Sequence, residues 1–141
     1  MDPVVDETLV THTGGCHCGT ITWEVNTPKP TLTAWKCNCT NCAMRGNIHF
    51  IVPAQNFRLL TGHSNVSTYT FGTRTAKHTF CSVCGVTSFY TPRSNPDCVA
   101  VTLACVHPGT ISHVEIKCFD GLNWENSYSS TGISHCSKLL D

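Results

Sequence analysis

Seven of the eleven cysteines in this 141-residue chain fall into three tight clusters: Cys16-His17-Cys18, Cys37-Asn38-Cys39-Thr40-Asn41-Cys42 and Cys81-Ser82-Val83-Cys84. Thiolates at such spacing are metal ligands by type. Zinc takes four ligands tetrahedrally, with Zn–S near ~2.3 Å, and a CxxC turn presents two thiolates to one ion. Gly85 follows Cys84 and permits the positive φ of a tight knuckle turn. Cys81 and Cys84 then need two further ligands, which Cys16 and Cys18 can supply from the other end of the chain. A four-thiolate site of this kind is closed: it contributes to folding and leaves no position for a substrate.

The middle cluster is of a different kind. Cys37, Cys39 and Cys42 place three thiolates close enough in sequence to cap one face of an ion. Three protein ligands with an open fourth position is the pattern of a catalytic zinc site. Zinc with three thiolates carries a charge of about −1, which makes it a poor Lewis acid for activating water. Soft ligation suits an incoming thiol better, so the expected chemistry is on a thiol cosubstrate rather than hydrolysis. Spacing leaves other arrangements open. Cys81 and Cys84 read alternatively as a redox dithiol. The middle cluster reads alternatively as a second structural zinc completed by His49, His17 or another cysteine, and Cys16 and Cys18 could pair with it instead. Cys98, Cys105, Cys118 and Cys136 lack knuckle spacing and are expected to be small buried hydrophobes.

The elements that must position these residues read mainly as strands. Ile21, Trp23 and Val25 alternate with polar neighbours, the period of a half-buried strand. Further strands are expected over 49–52, 57–60, 66–71, 76–80, 86–90, 99–103 and 114–119, separated by Gly- and Pro-containing turns. The one helix expected is a turn or two near Asn41 to Gly46, and Trp124 falls in a loop-rich tail. Trp23, Trp35, Phe50, Tyr69, Phe80, Phe89 and Tyr90 are of a type to line a pocket, but most of them are expected in the core. The class is therefore mostly β, a small single domain with short helical turns. Its expected limits are residues 12–136, with a flexible N-terminal extension over 1–11 and a tail over 137–141.

Composition excludes several function classes. Nine basic and nine acidic side chains give zero net charge, and the charged fraction is only 13%, so the broad basic footprint of a nucleic-acid binder is missing. No apolar run approaches the ~18–20 residues that span a bilayer. Met1 to Glu7 does not read as a secretory signal, and clustered thiols then point to a reducing compartment, cytoplasmic or also nuclear. Edge strands would permit a homodimer without requiring one.

The order CxC, CxCxxC, CxxCG resembles the glutathione-dependent formaldehyde-activating family. GGCHCG at Gly14 to Gly19, KCNCTNC at Lys36 to Cys42 and TFCSVCG at Thr79 to Gly85 are similar to its three motifs. HFIVPA at His49 to Ala54 and SFYTPRSNP at Ser88 to Pro96 are similar to the animal branch that includes centromere protein V. The resemblance covers about residues 12–127 and implies a zinc-binding, Mss4-like β-tent fold. It implies a structural zinc on Cys16, Cys18, Cys81 and Cys84 and a catalytic zinc on Cys37, Cys39 and Cys42. The implied activity is formation of S-hydroxymethylglutathione from glutathione and formaldehyde, or cleavage of a related adduct, in the carbon–sulfur lyase class. The animal branch adds the alternative of a catalytically silent interaction module. The implied mechanism needs a proton donor, for which His49 and His78 qualify by type. It also needs cations for the two glutathione carboxylates, for which Lys36, Arg45, Arg74 and Arg93 lie in or near the motif loops.

Overall fold

The structure, a computed structural model, describes residues 9–120, 124–131 and 133; the tail over 137–141, Cys136 and residues 1–8 lie outside the described residues. Ten strands run in the order β1 (Val10–Gly15), β2 (Thr22–Thr27), β3 (Thr31–Cys37), β4 (Ile48–Pro53), β5 (Phe57–Thr61), β6 (Val66–Tyr69), β7 (His78–Cys81), β8 (Phe89–Tyr90), β9 (Cys98–Thr102) and β10 (His113–Phe119). Among the described residues there are two short α-helices, α1 (Thr40–Arg45) between β3 and β4 and α2 (Trp124–Thr131) after β10. The mostly β class read from the sequence holds, in one small domain with short helical turns. Strand pairing starts at Val10, two residues inside the segment expected to be a loose extension.

The strands form three sheets, ordered β1-β2-β5, β10-β3-β4-β9-β8 and β6-β7. All pairings are antiparallel except β3 with β10, where Cys37 lies opposite Phe119. A parallel pair needs a long crossover; here most of the chain lies between its two strands.

Register gives the five-stranded sheet two different faces. Side chains alternate along a strand, and directly paired residues share a face. Leu32, Phe50, Val52 and Val101 point into the main core, where they meet Ile21, Trp23 and Val25 from the β1-β2-β5 sheet. Trp35, Cys37, His49, Ile51 and Tyr90 share the opposite face, because Trp35 pairs with His49, Ile51 with Ala100, and Ala100 with Tyr90. A smaller apolar cluster of Trp35, Phe119 and Ile133, with Tyr128 of α2 against it, covers part of that second face. The rest of it is the wall of a cleft.

The Gly-Gly of the first cysteine motif is a packing requirement. A Cβ on Gly14 would stand 2.3 Å from the Cys105 carbonyl oxygen and 2.5 Å from the Trp23 ring. Real Cβ atoms do not approach that closely, so β1 can lie on Trp23 only through a residue without a side chain.

Candidate functional site

The two outer cysteine clusters meet. Cys16 and Cys18, between β1 and β2, lie beside Cys81 and Cys84 at the end of β7, with all four sulfurs within 4.8 Å of one another. Cys18 Sγ is 3.6 Å from Cys16 Sγ and 3.7 Å from Cys81 Sγ. Four sulfurs at ~2.3 Å from a tetrahedral zinc would be about 3.8 Å apart, so the donor type and the spacing both fit that ion. Backbone N–H groups already aim at these sulfurs: Ile21 donates to Cys16 at 3.3 Å and Val83 to Cys81 at 3.3 Å. Gly85 follows with φ 78, the left-handed conformation expected of it.

Cys37, Cys39 and Cys42 form a second group with sulfurs within 4.8 Å, and no fourth histidine, cysteine or carboxylate among the described residues joins it. Local structure builds it. Cys37 ends β3, Cys39 caps the N-terminus of α1, and Cys42 lies in its first turn. The Cys39 N–H donates to Cys37 Sγ and the Cys42 N–H to Cys39 Sγ, each at 3.4 Å. The first thiol to ionise draws hydrogen bonds from the other two: Cys37 and Cys42 hold Cys39 far below the usual thiol range, and Cys39 pushes Cys37 up. One thiolate held by two neighbouring thiols is a set of soft donors that suits a soft divalent cation. No disulfide joins any two described cysteines.

The three thiols open onto a cleft of about 260 Å³ that His49, His78 and Tyr90 also line. The Tyr90 hydroxyl, fully buried, lies 3.9 Å from Cys42 Sγ and 3.1 and 3.4 Å from the two nitrogens of His49. Burial pushes the Tyr90 pKa well up, which keeps the phenol protonated. Behind His49, hydrogen-bond logic fixes the tautomer. Thr102 donates its hydroxyl proton to the Thr87 carbonyl at 2.7 Å and accepts from the Asn47 amide nitrogen at 3.1 Å. The Asn47 oxygen therefore faces His49 Nδ1 at 2.9 Å and requires a proton there. Nε2 keeps its lone pair, and the Tyr90 hydroxyl lies near both ring nitrogens, 3.1 Å from Nδ1 and 3.4 Å from Nε2.

His78 has the opposite arrangement. Arg45 approaches its Nδ1 at 3.5 Å and, as a pure donor, leaves the imidazole proton on Nε2. Burial first, and then the Arg45 charge, lowers the pKa of both histidines, His49 to about 4. Both are neutral near pH 7. His78 stacks between Tyr90 and Phe71, with ring centroids 5.3 Å away on each side. Half-exposed Phe71 thus lies along the cleft beside Gly72 and Thr73 of the β6–β7 turn.

The four basic residues expected near the site separate. Arg45 ends α1, stands 5.0 Å over the Tyr90 ring, and puts Nη2 3.9 Å from Cys42 Sγ. Arg93 lines the cleft and forms an ion pair with Glu125 at 3.4 Å. Lys36 points to the other face of β3 and lines a second, more open cleft that shares Cys37 and Cys42. Arg74 is exposed in the β6–β7 turn, with φ 61. Sequence reasoning missed the Asn47 and Tyr90 roles, since a phenol in a strand reads as core and only cross-strand register brings it to a thiol.

Among the described residues no helix is long and apolar enough to cross a membrane. Residues 11–120 match the family of glutathione-dependent formaldehyde-activating enzymes. A crystal structure of a Rhodobacter sphaeroides protein is similar over 74% of this chain and 99% of its own, at 36% identity and a TM-score of 0.64. Neither match singles out the animal branch. With three cysteine motifs folded into one closed and one open thiol group inside the matched span, the chain belongs to the glutathione-dependent formaldehyde-activating enzyme family.

Proposed function

We propose that this protein is a zinc-dependent enzyme that joins glutathione to formaldehyde or another small aldehyde, or cleaves the related adduct, as a carbon–sulfur lyase. One observation carries the reading: four thiols close on one another, whereas three open onto a cleft walled by two neutral histidines and a tyrosine. Cys16, Cys18, Cys81 and Cys84 would hold a structural zinc, and Cys37, Cys39 and Cys42 a second. Zinc at the second position supplies soft ligation that favours the thiolate form of a cosubstrate thiol.

The side chains of the cleft handle the protons and the orientation. Tyr90 passes its hydroxyl proton to His49 Nε2 and takes the proton of the incoming thiol in its place. The sulfur electron pair forms the new C–S bond while the carbonyl π pair moves onto oxygen. His78 Nε2–H donates a hydrogen bond to that oxygen as charge develops on it. The proton held at His49 returns through Tyr90 to the oxygen, giving the S-hydroxymethyl adduct with no net gain or loss of protons. The reverse sequence cleaves the adduct. Arg45, beside the thiols, is the cation best placed for a glutathione carboxylate, with Arg93 a second on the cleft wall. Holding both reactants in one walled cleft supplies the usual proximity gain. The reading sets the protein in a reducing, cytoplasmic compartment, where its thiols stay available to metal.

The test is zinc content of protein purified without added metal, measured for the parent and Cys39→Ser, with a glutathione titration of each. About two zinc ions in the parent, about one in the variant and saturable glutathione binding in the parent alone are expected. One zinc ion in both proteins with no glutathione binding would overturn the reading.

A further inference from the structure

Two buried side-chain polar atoms have no hydrogen-bond partner among the described residues: Nε1 of Trp35 and Nη1 of Arg45. Both are donors, and both belong to the surroundings of the same cleft. Trp35 lines it, and Arg45 packs on its wall residues Tyr90 and His78. Buried N–H groups are rarely left unmatched, because burial removes their water without replacing it. Trp23 shows the ordinary solution in this fold: its indole donates to Ser88 Oγ at 3.1 Å. Trp35 is only 3% exposed and has no such acceptor among the described residues.

Its location says what the missing acceptor belongs to. Trp35 and Cys37 are two residues apart on one face of β3, a separation of roughly 6–7 Å along a strand, and they pack in one cluster. That is about the reach from a cysteinyl sulfur to the amide and carboxylate oxygens of a short peptide. A thiol whose sulfur sits at the three-cysteine group would carry those oxygens to the indole.

We propose that Trp35 is a specificity residue whose indole N–H donates to a carboxylate or amide oxygen of the thiol substrate, with Arg45 Nη1 as its charged companion. The cleft then selects thiols bearing acceptor oxygens over plain alkyl thiols. This inference rests on the glutathione reading above and adds the group that recognises the peptide rather than the sulfur.

The experiment uses zinc-loaded, ¹⁵N-labelled protein and follows the indole resonances of Trp23, Trp35 and Trp124 during titration with glutathione and, separately, with butanethiol, which has no oxygen. Trp35→Phe assigns the Trp35 signal by its loss. Glutathione moves the Trp35 indole proton downfield at saturation, butanethiol moves it far less, and the Trp23 signal stays in place. In Trp35→Phe the glutathione Kd rises about tenfold while the butanethiol Kd stays within about twofold. A Trp35 signal that glutathione leaves unmoved, or that both thiols move equally, overturns the inference, as does unchanged glutathione affinity in a folded Trp35→Phe. Should the parent bind no glutathione, the functional reading falls as well; binding with a silent indole removes this inference alone.

Discussion

The imidazole of His49 is oriented from behind the cleft by the Asn47 and Thr102 side chains and the Thr87 carbonyl. Thr87, Thr102 and Asn47 form a directional chain in which each hydrogen has one place to go, so the proton is kept on Nδ1 and the lone pair on Nε2. In the base role proposed above the imidazole needs no titration to be ready, since the histidine is neutral at any pH well above about 4. His49→Gln should lower the rate of adduct formation by about 10²–10⁴-fold, the usual contribution of a positioned acid–base group. Zinc content should not change, because His49 is not among the clustered ligands. Asn47→Ala keeps the imidazole but removes its orienting acceptor, and a loss of about 10–100-fold is expected, smaller than for His49→Gln. Rates and zinc content of the two variants check this together. A His49→Gln variant with the parent rate would take the imidazole out of the mechanism.

At the scale of elements, strands were visible in the sequence either by alternation or as short apolar runs such as that of β4, and alternation is the plainer signal. β2 shows this plainly, with Trp23 and Val25 buried and Thr22 and Glu24 less so. The strand β3 was not legible because its alternation breaks at Ala34 and Trp35, which face opposite ways and are both buried, and it has no apolar run to replace the lost pattern. β1 was hidden by its buried polar residue, His12. The helix α2, with three Ser and one Thr among its eight residues, has little intrinsic helix preference and packs Tyr128 on the Trp35–Phe119–Ile133 cluster, a contact no local pattern announces. The cysteine groups, by contrast, were legible because metal ligation imposes spacing on the chain itself. Within the site, Asn47, two residues before His49, and Tyr90, on another strand, gave no sequence signal of their contacts with its ring. His12 gives β1 a measurable property. Its Nε2 lies 2.8 Å from Thr27 Oγ1, whose own proton goes to the Lys29 carbonyl, and its Nδ1 lies 2.6 Å from Thr110 Oγ1. The ring is neutral, and burial lowers its pKa below the ordinary 6.5. The unfolded chain therefore binds a proton at a higher pH than the folded one. The stability His12 contributes is present above about pH 6.5 and is lost as pH falls toward the folded value, by at most ~1.4 kcal/mol per pH unit. Urea unfolding between pH 7 and pH 5.5 should show a smaller loss of stability in His12→Gln than in the parent. Equal slopes would mean that the ring is not held neutral.

With the structural zinc proposed above in the closed thiol group, the molecule as a whole would depend on that group in a way it does not depend on the open one. Cys16 and Cys81 are buried members of the main core cluster, beside Ile21, with Val66 and Val86 packed against it. Cys16 and Cys18 belong to the turn between β1 and β2, and Cys81 and Cys84 to the end of the β6–β7 pair, so the group ties two sheets that share no strand. The three-thiol group, in contrast, joins residues within one β3–α1 connection and restrains little beyond it. A structural zinc site contributes on the order of 10 kcal/mol to folding at neutral pH, and a domain of this size has only about 5–15 kcal/mol of net stability. Losing one ligand of the closed group should therefore remove most of the margin. Cys81→Ser is expected to lose cooperative unfolding, whereas Cys39→Ser keeps a transition within about 2 kcal/mol of the parent. Strong chelation should divide the same way, the open site giving up its metal first with near-ultraviolet circular dichroism unchanged, and the dichroism collapsing only when the second equivalent leaves. Simultaneous release of both equivalents with a single loss of dichroism, or equal stability in the two variants, would mean that the two groups are not divided between folding and chemistry.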